Sequence, residues 1–270
     1  MTKRRRIRWD RIIMVFGPLL LLILILLFSC RGKDASDSDI QAGSSTAVES
    51  IASVETNTNV VPIDNSNHQI VICLDAGHGG NDGGAIDATG SRYEKDDNLN
   101  LTLAVRDAFR TKYPDVQIVM TRETDVFVEL QERCDIANNA DADFFISLHR
   151  NSSTSGSGVE IWINNDSGGD NTWDKLLAEY IMDWLDQVGI SERRGIQTGF
   201  RNSSANNESN NYYVNRYTNM PSCLIEMGFM TSKEDNRNFD DHLDDYADAI
   251  VSAVMELMAD RGIYPADSLQ

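Results

Sequence analysis

The sequence predicts an α/β fold, a three-layer sandwich in which helices flank a largely parallel central sheet. From Gln69 onward, short apolar runs rich in β-branched residues alternate with longer segments whose apolar residues recur at helical spacing. Several polar residues suited to chemistry come at or just after the ends of the apolar runs, where parallel strands bind their ligands. Strands and helices that alternate in this way are typical of an α/β domain.

The predicted elements alternate along the chain from residue 70 to residue 257. Five runs are predicted to be strands: 70–74, 116–120, 144–148, 159–163 and 223–225. Four segments are predicted to be helices: 94–112, about 127–139, 173–188 and 243–257. The stretch 191–217 is polar, rich in Asn and too long for a plain connection, so we expect a substrate-facing loop with a short strand near 212–215.

Residues 1–30 are predicted to be a basic cytoplasmic segment followed by a membrane anchor or export signal. Six basic residues lie within residues 1–11, and the apolar run 12–29 follows them. This 18-residue run reaches the lower end of bilayer-spanning length and exceeds the roughly 7 to 15 residues of a cleaved signal core, which favours a retained anchor. Clustered positive charge before the run places everything after Cys30 outside the cytoplasm.

Two alternatives exist for this segment. Residues 27–30 loosely resemble a bacterial lipoprotein processing site, so Cys30 could carry a lipid, and either route tethers the protein to the outer face of the membrane. A buried core helix is disfavoured, because basic residues flank the run and it has no polar stripe. Residues 31–67 are polar and free of aromatic residues, and are predicted to be a flexible linker to a catalytic domain at 68–270.

Charge and cysteine usage exclude several classes of protein. The whole chain has a formal net charge of −18, and beyond residue 33 it holds 16 basic and 41 acidic residues, a net charge of −25. Nucleic acid would repel such a domain and is not expected as a partner. Cys73, Cys134 and Cys223 are an odd number without tight spacing, which argues against a disulfide framework and against a zinc thiolate site.

Four residues are candidates for a metal-dependent site. His78, His149 and Glu226 each lie at or just past the end of a predicted strand, and Glu94 begins the first helix. Because ligands bind beyond the carboxyl ends of strands in open α/β sheets, the fold could bring these residues together. Two imidazoles and one carboxylate form a catalytic zinc site with an open fourth position for water.

Three of these residues could instead have an ordinary structural role. A His at a strand end is more often hydrogen-bonded or exposed than a metal ligand, and Glu94 could simply favour the positive end of the helix dipole. Glu226 is harder to assign in this way, because burying a carboxylate in an apolar strand is costly and requires a partner or a task.

Five short motifs occur in order along the predicted domain. They are 71–80 (VICLDAGHGG), Glu94-Lys95-Asp96, Thr121-Arg122, 146–151 (ISLHRN) and 225–229 (IEMGF). This ordered set resembles that of the zinc-dependent N-acetylmuramoyl-L-alanine amidases of the amidase_3 type, and the similarity covers about residues 70–260. The resemblance implies that His78, Glu94 and His149 bind Zn2+ and that Glu226 is the catalytic carboxylate. It also implies a peptidoglycan substrate, cleaved between N-acetylmuramic acid and the L-alanine of the stem peptide, in cell-wall remodelling or lysis.

The sequence departs from the usual pattern of this family at three positions. Gly83 stands where many relatives have Pro, Arg150 where a small residue is common, and Met227 where Thr is frequent. None of these replaces a ligand, but Arg150 borders the site and bears on which wall peptide is preferred. Only a short polar turn separates the strand at 159–163 from the next helix, so an inhibitory helical insertion is not expected.

Three other functions compete with this one. The same metal site could serve a hydrolase for another amide or for an acetylated sugar. The intact set of four residues argues against a wall-binding module without turnover. In such a module a buried carboxylate would lower stability and have no catalytic role. A structural envelope protein, in which the anchor and linker matter more than the domain, would be contradicted by full activity after deletion of residues 1–67.

Overall fold

The computed structural model describes residues 68–165, 170–200 and 211–269. Within these residues, six strands form one sheet: β1 (Val71–Ala76), β2 (Gln117–Met120), β3 (Phe144–Asn151), β4 (Val159–Ile163), β5 (Arg193–Thr198) and β6 (Ser222–Phe229). The expected anchor at 1–30 and the linker at 31–67 lie outside the described residues. In the part of the chain that is described, no helix is both long enough and apolar enough to cross a bilayer.

The sheet is largely parallel, and its strand order is β2-β1-β3-β6-β4-β5. β1 pairs in parallel with both β2 and β3, and β3 pairs in parallel with β6. β4 runs antiparallel to β6 and pairs in parallel with the edge strand β5. As a result, the amino-terminal end of β4 meets the carboxyl ends of β3 and β6 at one edge of the sheet.

Helices cover both faces of this sheet, which confirms the three-layer α/β fold. They are α1 (Glu94–Lys112), α2 (Leu130–Asn139), α3 (Thr172–Val188), α4 (Tyr213–Tyr217), α5 (Lys233–Asp241) and α6 (Leu243–Asp260). Because successive side chains of a strand point to opposite faces, each strand contributes alternate residues to two apolar clusters. Ile72 and Leu74 pack in the larger cluster with α1, α3 and α6, whereas Val71 and Cys73 pack in the smaller cluster with α2 and α4.

Several elements differ from the sequence prediction, and α5 is among those that it does not include. The strand predicted at 212–215 is wrong, because this segment enters the short helix α4. β5 is not predicted at all, since its sequence Arg-Arg-Gly-Ile-Gln-Thr lacks an apolar alternation and it lies at the edge of the sheet. Helix α2 begins at Leu130 rather than near residue 127, because Glu129 keeps an extended backbone with ψ at 149°.

Asp174 links α3 to the first residue of β6. The residue is 7% exposed, and its Oδ1 accepts a 2.6 Å hydrogen bond from the backbone N–H of Ser222. Burial raises the pKa of Asp174 from 3.8 to about 6. The folded chain therefore binds the proton of Asp174 more tightly than the unfolded chain. Protonation of Asp174 stabilises the folded chain fully below pH 3.8, and this contribution to the free energy of unfolding is lost as the pH rises through about 6.

We expect the free energy of unfolding of Asp174→Asn to depend less on pH than that of the wild-type chain. The neutral amide can still accept the bond from Ser222 but takes up no proton, which removes a pH-dependent contribution of up to about 3 kcal/mol. Urea unfolding followed by circular dichroism at several pH values measures this difference. Glu179→Gln, an exposed acid of the same helix, serves as the control. Parallel pH profiles for Asp174→Asn and the wild type would contradict the effect of burial.

Candidate active site

Three of the predicted site residues converge at the carboxyl edge of the sheet. His78 follows β1, Glu94 is the first residue of α1, and His149 lies near the end of β3. One potential ligand atom from each residue lies within 4.8 Å of the others. Glu94 Oε1 is 3.2 Å from His78 Nε2 and 3.0 Å from His149 Nδ1. Two imidazoles and one carboxylate therefore meet at one point.

The charges in this cluster favour a cation. Burial alone would lower the pKa of His78, but the carboxylates of Glu94 and Asp82 outweigh it and raise this pKa to about 9. Burial would raise the pKa of Glu94, yet the hydrogen bonds and charges of the two imidazoles hold it well below its ordinary value. A carboxylate that stays ionised between two imidazoles is a donor set suited to a divalent metal ion.

Asp82 determines which nitrogen of His78 faces the cluster. Its Oδ2 lies 2.7 Å from His78 Nδ1, so Nε2 is the nitrogen turned toward Glu94. A carboxylate on the second nitrogen is the usual partner of a metal-binding imidazole, because it orients the ring and increases its basicity. The residues present therefore fit a metal ion that keeps an open coordination position.

Glu94 is held in place by three hydrogen-bond donors besides the imidazoles. Its Oε1 accepts bonds from the backbone N–H of Arg150 (3.1 Å) and from Asn98 Nδ2 (3.2 Å). Its Oε2 accepts a bond from the backbone N–H of Ala85 (2.7 Å). These bonds fix the carboxylate where it faces both imidazoles, so this ligand is held in a defined position.

Two arginines clamp the backbone of the loop that carries His78. Arg122 donates to the carbonyl oxygens of Ala76 (2.8 Å) and Gly77 (2.9 Å). Arg133, from α2, donates to the carbonyl oxygens of Ala76 (2.7 Å) and His78 (2.8 Å). His78 has a φ of 61°, a left-handed conformation that is strained for a residue with a Cβ and persists only with support from its surroundings. The placement of this ligand therefore depends on both arginines.

A buried ion pair anchors Arg133 beneath this loop. Asp75 of β1 accepts a 2.6 Å bond from Arg133 Nη1, and the two side chains are 1% and 3% exposed. The hydroxyls of Thr121 (2.7 Å) and Ser147 (2.6 Å) also donate to Asp75. Burial would raise the pKa of Asp75, but Arg133 and the two hydroxyls lower it below 3.8. Neither partner of this pair was identified from the sequence, although an Arg on the sheet-facing side of a helix is a signal that could have found it.

Gly77 leaves room for the imidazole of His149. A Cβ at Gly77 would overlap the His149 ring at Nε2, far inside van der Waals contact. The backbone of the loop thus lies directly against the ring, and the ring centroids of His78 and His149 are 5.0 Å apart. Only glycine permits this close approach of the two ligands.

Glu226 lines the same cavity as the three ligands. This cavity has a volume of about 770 Å³. In the sheet, Glu226 of β6 is the direct partner of His149 of β3, so both side chains point to the same face. Glu226 is 8% exposed and lies within β6 rather than after its end, because the strand continues to Phe229. The structure therefore brings together all four residues that the sequence indicated.

A further carboxylate beside Glu226, that of Glu160, was not identified from the sequence. Glu160 of β4 is the direct partner of Glu226 on the other side of β6 and is 4% exposed. It accepts hydrogen bonds from Asn151 Nδ2 (2.7 Å), Trp162 Nε1 (3.1 Å) and Arg194 Nε (2.7 Å). A Glu within the apolar run Val-Glu-Ile-Trp-Ile was the available signal. Glu160 therefore ties β3, β4 and β5 together next to Glu226.

Comparison with known proteins assigns the chain to a family. The family model Amidase_3, described as N-acetylmuramoyl-L-alanine amidase, matches residues 72–256, a range that includes all four site residues. This chain belongs to the Amidase_3 family. Membership confirms the family indicated by the ordered motifs, and it makes the chain an N-acetylmuramoyl-L-alanine amidase, an enzyme that acts on peptidoglycan.

Relatives in sequence and structure support the Amidase_3 assignment. The chain is 34% identical over 186 residues to the uncharacterized protein YqiI of Bacillus subtilis, covering 68% of this chain and 82% of that protein. It is 33% identical over 168 residues to the sporulation-specific N-acetylmuramoyl-L-alanine amidase of the same organism, covering 62% of this chain and 58% of that one. The crystal structure of an N-acetylmuramoyl-L-alanine amidase from Clostridium difficile 630 matches with a TM-score of 0.61 at 30% identity, covering 73% of this chain and 100% of that one.

Arg150 departs from the usual Amidase_3 pattern, and its side chain is directed away from the cavity. Because it follows His149 in β3, it points to the opposite face of the sheet, where it is fully buried. Its guanidinium donates to Asp97 Oδ2 (2.6 Å) and to Asn236 Oδ1 (2.7 Å), and lies 4.4 Å from the ring centre of Phe239. Arg150 therefore borders the site through its backbone only. The sequence predicted that it bears on the preferred peptide, but its side chain does not reach the substrate cavity.

Proposed function

We propose that this Amidase_3 enzyme uses Zn2+ to hydrolyse the amide between the lactyl group of N-acetylmuramic acid and the L-alanine of the stem peptide. His78, Glu94 and His149 would hold the ion, and Glu226 would act on the attacking water. The observation that carries this proposal is the convergence of two imidazoles and a carboxylate within 4.8 Å, in a cavity that Glu226 also lines. Such a donor set leaves one position for water.

The residues of the site have distinct roles in the proposed reaction. Asp82 and Glu94 orient the imidazole of His78, and Glu94 also holds that of His149. A bound zinc ion supplies Lewis acidity, which lowers the pKa of water to about 7 and polarises a carbonyl group. Glu226 accepts a proton from the attacking water and passes it to the departing amine. The C–N bond breaks, which yields a lactyl carboxylate and the free amino group of L-alanine.

We further propose that the catalytic domain works outside the cytoplasm, tethered to the membrane by residues 12–29. The support is the basic cluster before this run and the polar linker 31–67 after it. A lipid on Cys30 would tether the domain equally well. Recovery of the full-length chain in the soluble fraction of its host would contradict this localisation.

Removal of the metal is expected to abolish hydrolysis of purified peptidoglycan. Elemental analysis should find about one zinc ion per chain, because one set of three ligands is present in the described residues. Dialysis against a chelator should remove the zinc and abolish the release of new amino groups from peptidoglycan. Added zinc should restore the bound metal and the activity. His149→Ala should not retain zinc, whereas His242→Ala, which removes an exposed His outside the cluster, should retain it. A zinc-free chain that still releases amino groups at the normal rate would contradict the proposal.

A further inference from the structure

The cavity that holds the four site residues has an exposed apolar wall. Phe127 and Leu130, at the entry to α2, line this cavity although they are 43% and 51% exposed. Phe200 and Tyr212 add an edge-to-face aromatic pair to the same lining, with ring centroids 5.0 Å apart. Large apolar side chains left open to solvent beside a catalytic centre mark a surface that a ligand covers.

The segment that carries this wall is fixed to the loop of His78. Asp125 accepts hydrogen bonds from the backbone N–H of Gly80 (2.7 Å) and from Lys95 Nζ (2.7 Å). Lys95 Nζ also donates to the carbonyl oxygen of Gly80 (2.8 Å). A Cβ at Gly80 would lie 2.7 Å from the backbone N of Phe127, so the two backbones are in close contact. Phe127 is therefore exposed in a defined position relative to the metal ligands.

The charges near this wall determine which part of the substrate fits it. Glu129 lies between the two apolar residues in the sequence, lines the cavity and is exposed. Arg133 is the nearest cation in the sequence, but its guanidinium is committed to Asp75 and to the carbonyl oxygens of Val128, Ala76 and His78. Among the described residues that line the cavity, Arg150 is the other Arg or Lys, and its side chain is fully buried.

Peptidoglycan offers two kinds of group to this wall. The stem peptide carries more carboxylates than amino groups, so Glu129 would repel its net negative charge, and the described lining offers no uncommitted cation to offset this. The neighbouring N-acetylated sugar of the glycan strand is neutral, has an apolar face of C–H groups that can pack on an aromatic ring, and has hydroxyls that can donate to a carboxylate. The sugar therefore matches both the apolar and the acidic character of the wall.

We infer that Phe127, Glu129 and Leu130 form a subsite for a neutral N-acetylated sugar of the glycan strand, next to the N-acetylmuramic acid whose amide is cleaved. The inference rests on the proposed function, because it assumes that the scissile amide lies at the metal cluster. In this subsite the ring of Phe127 and the side chain of Leu130 cover the apolar face of the sugar, and the carboxylate of Glu129 accepts a bond from a hydroxyl. The enzyme then selects glycan chains over isolated muropeptides.

Binding of an N-acetylglucosamine tetramer to the full-length chain tests the subsite without any need for turnover. Titration calorimetry or nuclear magnetic resonance should detect binding to the wild type and binding about tenfold weaker, or none, to Phe127→Ala. Phe127→Trp should restore it, because the larger ring keeps the stacking surface. The control is Ile86→Ala, which truncates an apolar residue that is 44% exposed and does not line the cavity.

Hydrolysis of two substrates locates the subsite relative to the scissile bond. Phe127→Ala should lower kcat/KM on peptide-bearing glycan chains by about tenfold through KM, and should leave kcat/KM on a single N-acetylmuramoyl-peptide unchanged. Equal losses of kcat/KM on both substrates would show that the apolar side of the cavity holds the peptide, and would overturn the inference. Tetramer binding that is absent, or equal in the wild type and Phe127→Ala, would also overturn it. A wild-type chain that binds the tetramer but hydrolyses neither substrate would instead contradict the proposed function.

Discussion

Replacing Glu226 with Gln is expected to lower kcat on peptidoglycan by about 10²-fold to 10⁴-fold, the usual contribution of a general acid–base group. The amide has nearly the shape of the carboxylate but cannot accept the proton of the attacking water or return it to the departing amine. Because Glu226 is outside the cluster formed by His78, Glu94 and His149, bound zinc should be unchanged. Release of amino groups and zinc content are measured on the same preparation.

The control for this variant is Glu132→Gln, which changes an exposed carboxylate on α2. It should retain both activity and zinc, so a loss in both variants would point to an unspecific effect of charge. A Glu226→Gln chain that digests peptidoglycan at the normal rate would remove Glu226 from the mechanism. Loss of zinc in Glu226→Gln would instead show that this carboxylate supports the metal.

Asp75→Asn is expected to lower the free energy of unfolding by about 3–5 kcal/mol, the typical cost of leaving one partner of a buried ion pair without its counter-charge. Arg133 would stay buried, and Asp75 would lose the charge that Thr121 and Ser147 also stabilise. Because Arg133 also holds the carbonyl oxygen of His78, zinc affinity should fall by about 10-fold to 100-fold. Denaturant unfolding and zinc competition measure the two effects separately.

An exposed ion pair provides the matched control for Asp75→Asn. Glu123→Gln removes the negative charge from the ion pair with Arg106 (2.7 Å), in which the Glu123 side chain is 54% exposed. Solvent screens such pairs, so the free energy of unfolding should change by less than about 1 kcal/mol. Equal losses for Asp75→Asn and Glu123→Gln would mean that burial adds nothing to the Asp75–Arg133 pair. An unchanged zinc affinity in Asp75→Asn would separate the ion pair from the placement of His78.

Local patterns in the sequence were sufficient to predict the fold, whereas the set of four site residues was predicted from those patterns together with the resemblance of five ordered motifs to the amidase_3 type. The carboxyl ends of parallel strands lie along the same side of a sheet. A His or Glu at the end of an apolar run is therefore expected on that side. The pattern alone indicates that the fold could bring His78, His149 and Glu226 together, and the resemblance of the ordered motifs to the amidase_3 type identified them as a site. Glu94 needed one more assumption, that a short loop returns the first helix to the same edge.

Other parts of the site depend on pairings that distant segments make only after folding. Glu160 was not identified because its place beside Glu226 requires β4 to run antiparallel, whereas the alternating pattern predicts parallel strands. Asp75 and Arg133 each have an ordinary local context, and only the packing of α2 on the sheet joins them. Arg150 was expected near the substrate from its neighbour His149, but adjacent residues of a strand point to opposite faces.

The order of the strands has a consequence for when the enzyme can first act. β3 and β4 are neighbours in the chain, yet they must leave a gap between them that β6 later fills. Before β6 has been synthesised, no strand is available to join β3 to β4, and the chain does not yet contain Glu226. Pairing between segments so far apart is also slow to form. A partly made chain therefore lacks the strand that joins β3 to β4 and carries Glu226 into the cavity.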